Sequence, residues 1–159
     1  MDLGELNIRR ADNGDTQEVR DLVFGILEEY GLLPDPEGID RDLEDIEANY
    51  LNRGGDFQVL LDEHGEIVGS VGLYPIDRDT VELRKMYFRR RIRGKGLGKK
   101  LLANTVETAA RLGYKKIILE TASALKEAIG LYKSFGFLPV EGVHADRCDQ
   151  SFYLELGEG

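Results

Sequence analysis

The chain is poor in cysteine, and that scarcity excludes a good deal. Its 159 residues hold one cysteine, Cys148, so no disulfide framework and no cysteine-built zinc site is expected. No run approaches the roughly 20 apolar residues that a membrane span needs, so no membrane partner is expected. The opening MDLGELNIRRADNGD has neither a basic start nor an apolar stretch. A signal peptide is therefore not expected, and a reducing cytoplasm is the expected compartment. The two histidines, His64 and His144, have no metal-ligand spacing around them. No linker, repeat or low-complexity tract divides the sequence, so residues 1–159 are expected to form one domain. A chain of this size buries ~70% of the surface its unfolded form exposes and needs no staple.

Charge is plentiful but unevenly placed. The sum is 21 basic minus 30 acidic side chains, or -9. Residues 1–50 carry 15 acidic and 4 basic side chains, a sum of -11. Residues 84–100 carry nine basic side chains and no acidic one. A general nucleic-acid binder is usually basic overall, so a nucleic-acid partner is not expected. The concentration suits one local anionic ligand.

The hydrophobic period gives alternating elements. Leu6–Ala11 reads as a strand, and Asp12–Asp15 offers N-cap candidates, with Asp15 and Glu18 as one capping-box pairing, for a helix through Val19, Leu22, Val23, Ile26, Leu27 and Tyr30. Gly31 stops it. A second helix is expected from Asp40, with Leu43, Ile46 and Tyr50 on one face, ending before Gly54. Strands follow at Phe57–Leu61, Ile67–Tyr74 and Val81–Phe88. Leu97, Leu101, Leu102, Val106, Ala109 and Leu112 mark a helix, and Lys116–Glu120 a further strand. Ser123–Ser134 reads as a helix closed by Gly136, and Phe137–Val140 and Phe152–Leu156 as the last strands. Strand 81–88, helix 97–112 and strand 116–120 form a crossover unit, so its two strands should be parallel.

The informative segment runs from Arg89 to Lys100. Gly94, Gly96 and Gly98 alternate between a strand end and a helix start. Glycine there admits positive φ and close approach of a ligand to backbone N–H groups. The first helical amides have no intrahelical partner, and the helix dipole adds positive potential. Together these build a phosphate cradle. It is neither of two familiar loops. A Walker A loop needs glycine where Arg93 stands, and a dinucleotide fingerprint needs glycine or alanine where Lys99 or Leu101 stands.

Arg93-Gly94-Lys95-Gly96-Leu97-Gly98 resembles the Arg/Gln-x-x-Gly-x-Gly/Ala pyrophosphate loop of the GNAT superfamily of acyl-CoA-dependent N-acyltransferases. Glu82–Phe88 resembles the strand before that loop. Ala128-Ile129-Gly130-Leu131-Tyr132, continuing to Gly136-Phe137, resembles the family's Ala-Ile-x-Leu-Tyr…Gly-Phe segment. The resemblance is strong over residues 58–140. It departs at Leu125, where many members carry asparagine that helps hold the cofactor arm.

The resemblance implies an α/β fold of the α+β type. Its single domain has a mixed, mostly antiparallel central sheet, with a parallel strand pair splayed around the acyl-CoA site and helices on both faces. It implies acetyl-CoA as acyl donor, no metal, and direct transfer to a primary amine of a small molecule, amino acid or peptide. Backbone groups at Met86 and Phe88 fall where the family binds pantetheine and polarises the thioester. The segment Arg93, Gly94, Lys95, Gly96, Leu97, Gly98 and Lys99 falls where it binds pyrophosphate, through amides rather than side chains. Tyr132 matches the family's proton donor near sulfur, and Glu82 is the carboxylate best placed as base, with Glu120 as second candidate. The acceptor's character stays open. The acidic first third suits a cationic amine, whereas Arg84 and Lys85 suit an acidic acceptor. A homodimer also stays open. A non-catalytic acyl-CoA sensor or scaffold is the alternative, and Tyr132 argues against it. A nucleophilic pair of His144 and Cys148 lacks a third orienting group.

Overall fold

A computed structural model describes residues 7–141 and 148–157. Its elements run β1 (Asn7–Arg10), α1 (Thr16–Glu29), α2 (Ile46–Asn49), β2 (Asp56–Leu61), β3 (Ile67–Pro75), β4 (Thr80–Phe88), α3 (Leu97–Arg111), β5 (Lys116–Thr121), α4 (Lys126–Phe135), β6 (Leu138–Val140) and β7 (Gln150–Glu155). The strands form one sheet in the order β1-β2-β3-β4-β5-β7-β6. Every neighbouring pair is antiparallel except β4 and β5, which are parallel as the crossover requires. That parallel pairing is short: Thr80–Glu82 face Lys116–Ile118, and beyond this the strands part.

Amphipathic helices cover both faces. Val19, Leu22, Val23, Ile26 and Leu27 of α1 are buried with Leu43, Ile46, Tyr50, Phe57 and Val59. On the other face Leu101, Leu102 and Ala109 of α3, with Ile129 and Tyr132 of α4, pack on Val81, Leu83, Ile117 and Leu119. No helix of the described residues is long and apolar enough to cross a membrane.

Several boundaries differ from the expected ones, each for a local reason. The capping box sits one turn early. The Asp12 carboxylate accepts from Gly14 N–H at 2.8 Å, and that of Asp15 from Asp12 N–H at 3.0 Å. Glu18 instead accepts Ile67 N–H at 2.7 Å, tying α1 to β3. The second helix is broken into a 3-10 turn (Arg41–Glu44), α2 and another 3-10 turn (Leu51–Arg53). Extended Asp45 interrupts it, and its carboxylate accepts Ala48 N–H at 2.9 Å to restart the chain as α2. α4 begins at Lys126 rather than Ser123, because Ser123 N–H and hydroxyl both donate to Asp149, at 2.8 and 2.5 Å. Leu6, at the edge of the first expected strand, lies outside the described residues.

Candidate active site

The site is organised by a bulge in β4. Gly72 faces Arg84 and Ser70 faces Tyr87, so Lys85 and Met86 together oppose Val71. Lys85 has φ 58°, the one non-glycine residue in the left-handed region among the described residues. That conformation costs roughly 1–2 kcal/mol, so neighbours must hold it. Ser70 hydroxyl donates to the Lys85 carbonyl at 2.7 Å. Lys85 Nζ donates to Ile39 carbonyl at 2.9 Å and lies 3.2 Å from both Asp40 Oδ1 and Asp42 Oδ1. The Tyr50 hydroxyl donates to the other Asp42 oxygen. The 39–42 segment is thereby fastened to β4 by buried charge.

The bulge also resets the alternation of side chains. Glu82 and Arg84 share one face, as their spacing predicts, and form an ion pair. Past the bulge Met86 joins the α3–α4 core while Tyr87 turns to the α1 side. The Arg84 guanidinium lies 3.8 Å from the Tyr74 ring centre. The signal for this bulge is two adjacent charges, Arg84 and Lys85, in a run that should alternate.

After β4 the chain makes a 3-10 turn (Arg90–Ile92) and enters α3. Ile92 and Leu97 are buried with Leu60 and Val68, which pins both ends of the loop. Gly94 and Gly96 have φ 77° and 78°, and a Cβ at either meets nothing within 4 Å. Glycine is needed there for backbone conformation, and the space beside it is open. At Gly98 a Cβ would lie 3.3 Å from Leu131 and 3.4 Å from Phe88, so close packing also favours its absence. Lys100 N–H is returned to Gly96 carbonyl at 3.2 Å. The N–H groups before it, at Leu97, Gly98 and Lys99, are the partnerless first amides of the helix. This arrangement fits a diphosphate.

Arg93 is held by protein groups. Its Nε donates to Phe88 carbonyl at 2.9 Å, and its two Nη atoms grip Glu29 at 2.5 and 3.1 Å. The Arg93 contact holds Glu29 below the usual carboxylate range. Of the Phe88 backbone groups, the carbonyl is therefore already engaged. Lys95 is exposed and Leu97 is core, so neither side chain lines the space beside the loop. Phe88, Arg93, Gly94, Gly96, Gly98 and Lys99 do line it.

Two spaces meet where β4 and β5 part. A groove of about 280 Å³ runs from the glycine loop between α1 and α4. A polar cavity of about 160 Å³ is lined by Glu82, Arg84, Lys85, Glu120, Tyr132 and Cys148. Met86, Tyr87, Leu125 and Ala128 border both, and so mark the junction. Leu125 makes that junction apolar. Tyr132 is 4% exposed. Burial, then the neighbouring Tyr87 and Cys148, push its phenol up, so it keeps its proton at neutral pH. The structure thus brings Tyr132, Glu82, Glu120 and Met86 into one cavity. Cys148 also lines it, as does Tyr87, which its sequence position did not signal. His144 lies outside the described residues.

Residues 22–137 match the acetyltransferase (GNAT) family. The chain belongs to this family. It is 38% identical over 135 residues to the Escherichia coli N-acetyltransferase YjgM, covering 82% of this chain and 80% of that one. It is 30% identical to the Schizosaccharomyces pombe N-acetyltransferase C1271.07c, covering 89% and 88%. Among solved structures, a GNAT acetyltransferase from Staphylococcus aureus Mu50 superposes with TM-score 0.90 at 28% identity, covering 96% of this chain and 99% of that one. Salmonella typhimurium YncA, solved with its cofactor acetyl-CoA, shares the fold with TM-score 0.78 at 24% identity, covering 98% and 96%. This GNAT chain is an N-acetyltransferase, and its mixed sheet with one parallel pair is the fold of these neighbours.

Proposed function

We propose that this GNAT protein moves an acetyl group from acetyl-CoA to a primary amine by direct attack, the amine belonging to a small molecule, amino acid or peptide. The observation that carries the reading is the junction: a groove leading from a phosphate cradle opens on a cavity that holds both carboxylates and a protonated phenol. The amides at 94–99 would hold the diphosphate, and the backbone of Met86 the pantetheine arm. Acetyl-CoA would supply an activated acetyl group and a thiol leaving group. Glu82 or Glu120 takes the proton from the acceptor ammonium, directly or through water. Tyr132 holds a proton beside the junction for the departing sulfur. Leu125 offers the arm apolar contact where many relatives offer an amide.

Release of free CoA with a panel of primary amines, amino acids and peptides tests the transfer. Calorimetric titration with CoA tests the cradle: Gly96→Glu places a side chain and a negative charge in the open space at φ 78°, and binding should vanish. Absence of CoA binding by the wild type refutes the reading at its root.

A further inference from the structure

The polar cavity contains two cations, and only one of them has donors left for a ligand. Lys85 is enclosed by Asp40, Asp42 and the Ile39 carbonyl. Arg84 is different. A guanidinium has five N–H donors in a planar fork. Arg84 gives Nε–H to Glu82, and neither Nη atom has a hydrogen-bond acceptor among the described residues. The side chain is 31% exposed and lines both this cavity and an open groove beside Tyr74, Arg41, Asp42 and Asp45, so the fork is reachable. It is also held in place, clamped between the Glu82 carboxylate and the face of Tyr74. Tyr74 is itself fixed by Tyr50, at 5.6 Å and edge-on, and by Arg53.

We infer that the acceptor is an α-amino acid, its carboxylate received by the Arg84 fork and its amine by the acidic side of the same cavity. This rests on the acetyl-transfer reading and names its acceptor class. Arg84 and Glu82 place opposite charges side by side. An α-amino acid presents the complementary pair on one carbon. A pre-oriented guanidinium favours a carboxylate bidentately. A simple amine or a polyamine would set a like charge against the fork and leave its donors unanswered, which a partly desolvated site penalises. Glu120, at the far end of β5, supplies a second carboxylate for the ammonium. Leu32 and Ile39 line the same cavity and offer an apolar wall to a side chain.

Each of the twenty amino acids and its methyl ester serve as probes. Two readouts are taken: saturation-transfer NMR on protein saturated with CoA, and initial rates of CoA release. The ester's amine loses its proton more readily, so intrinsic reactivity favours the ester. The wild type should nevertheless prefer the acids about ten- to a hundredfold in kcat/KM and show saturation transfer to them. Arg84→Gln should bring the acid-to-ester ratio to about one. Arg84→Lys, which keeps the charge without the fork, should recover part of it. Should Arg84→Gln fail to fold, the wild-type ratio decides alone. Equal use of acids and esters, or preference for polyamines or peptide N-termini, overturns the inference and leaves acetyl transfer standing. If no amine releases CoA, the transfer reading fails, and the NMR still judges the acceptor: saturation transfer to amino acids but not esters supports it, and its absence refutes it.

Discussion

Tyr132→Phe separates a proton donor from a core aromatic, because the structure gives the two roles opposite signatures. The ring is buried among Phe137 and Phe152, at centroid distances of 5.7 and 6.4 Å, and phenylalanine keeps all of that packing. Removing the hydroxyl leaves the ring and its aromatic neighbours in place. The variant should therefore stay within about 1 kcal/mol of the wild type. At ~2–4 °C per kcal/mol for a chain of this size, the melting temperature should hold to within a few degrees. Affinity for CoA should be unchanged. Loss of the proton donor should lower kcat about 10²-fold, equivalent to ~2.7 kcal/mol of transition-state stabilisation. Thermal melts, calorimetry with CoA and steady-state rates on one preparation give all three numbers. An unchanged kcat with a melting temperature several degrees lower refutes the donor role and makes Tyr132 a packing residue.

Lys85→Ala should cost about 3–5 kcal/mol in urea unfolding, because it strands two buried carboxylates. Lys85→Gly should recover roughly 1 kcal/mol of that by relieving φ 58°. Glu82→Gln should alter the ascending limb of the kcat/KM pH profile and regain activity at high pH, where more acceptor is neutral; an unchanged profile shifts the base role to Glu120 or water. Asp62, bonded by Arg91 and by the His64 and Glu66 amides, has its carboxyl lowered to about 2. A lowered carboxylate stabilises the fold above its unfolded pKa, so this contribution is complete above about pH 4 and fades as pH falls toward 2. Asp62→Asn should flatten acid unfolding over that window in circular dichroism. The double change Lys99→Glu with Lys100→Glu should raise the melting temperature of the free protein while weakening CoA binding severalfold; a lower melting temperature would show that these cations do not oppose the α3 dipole.

Much of this architecture is legible because it rests on local rules. The apolar stripes of α1 and α3 and the β-rich runs of β2 to β5 show their period directly, and the crossover fixes the parallel pair. Errors arise where two local solutions compete. Asp12 and Asp15 both suit a cap, and Arg9 of the preceding strand, which grips Asp15 at 2.8 Å, helps settle it. Ser123 reads as a helix start until Asp149, 26 residues on, takes its N–H and hydroxyl. The site shows the same division. The glycine loop, Glu82 beside Arg84 and Tyr132 on its helix stripe follow from spacing. The bulge at Lys85 shows only in the adjacent charges Arg84 and Lys85, because the residues that hold it, Ser70 and the pair Asp40 and Asp42, come from two other places in the chain. The commitment of Arg93 to Glu29, 64 residues away, does not follow from spacing.

The basic run shows what such distant partners do to a charge argument. Nine basic side chains in residues 84–100 suggest a strong anion site. In the folded chain Arg84, Lys85, Arg90, Arg91 and Arg93 are paired with carboxylates, three of which (Glu29, Asp40 and Asp42) come from the acidic first third. Nine minus five leaves Arg89, Lys95, Lys99 and Lys100 outside these pairs. The last two stand in the first turn of α3, which holds no acidic residue. Cations at a helix N-terminus oppose the dipole, at about 0.3–1 kcal/mol each. The fold therefore tolerates an adverse placement beside two positive-φ glycines, where the first amides of α3 converge. A bound anion turns each of these costs into a contact. The positions where the local rules are broken thus identify the ligand's charge better than the total does.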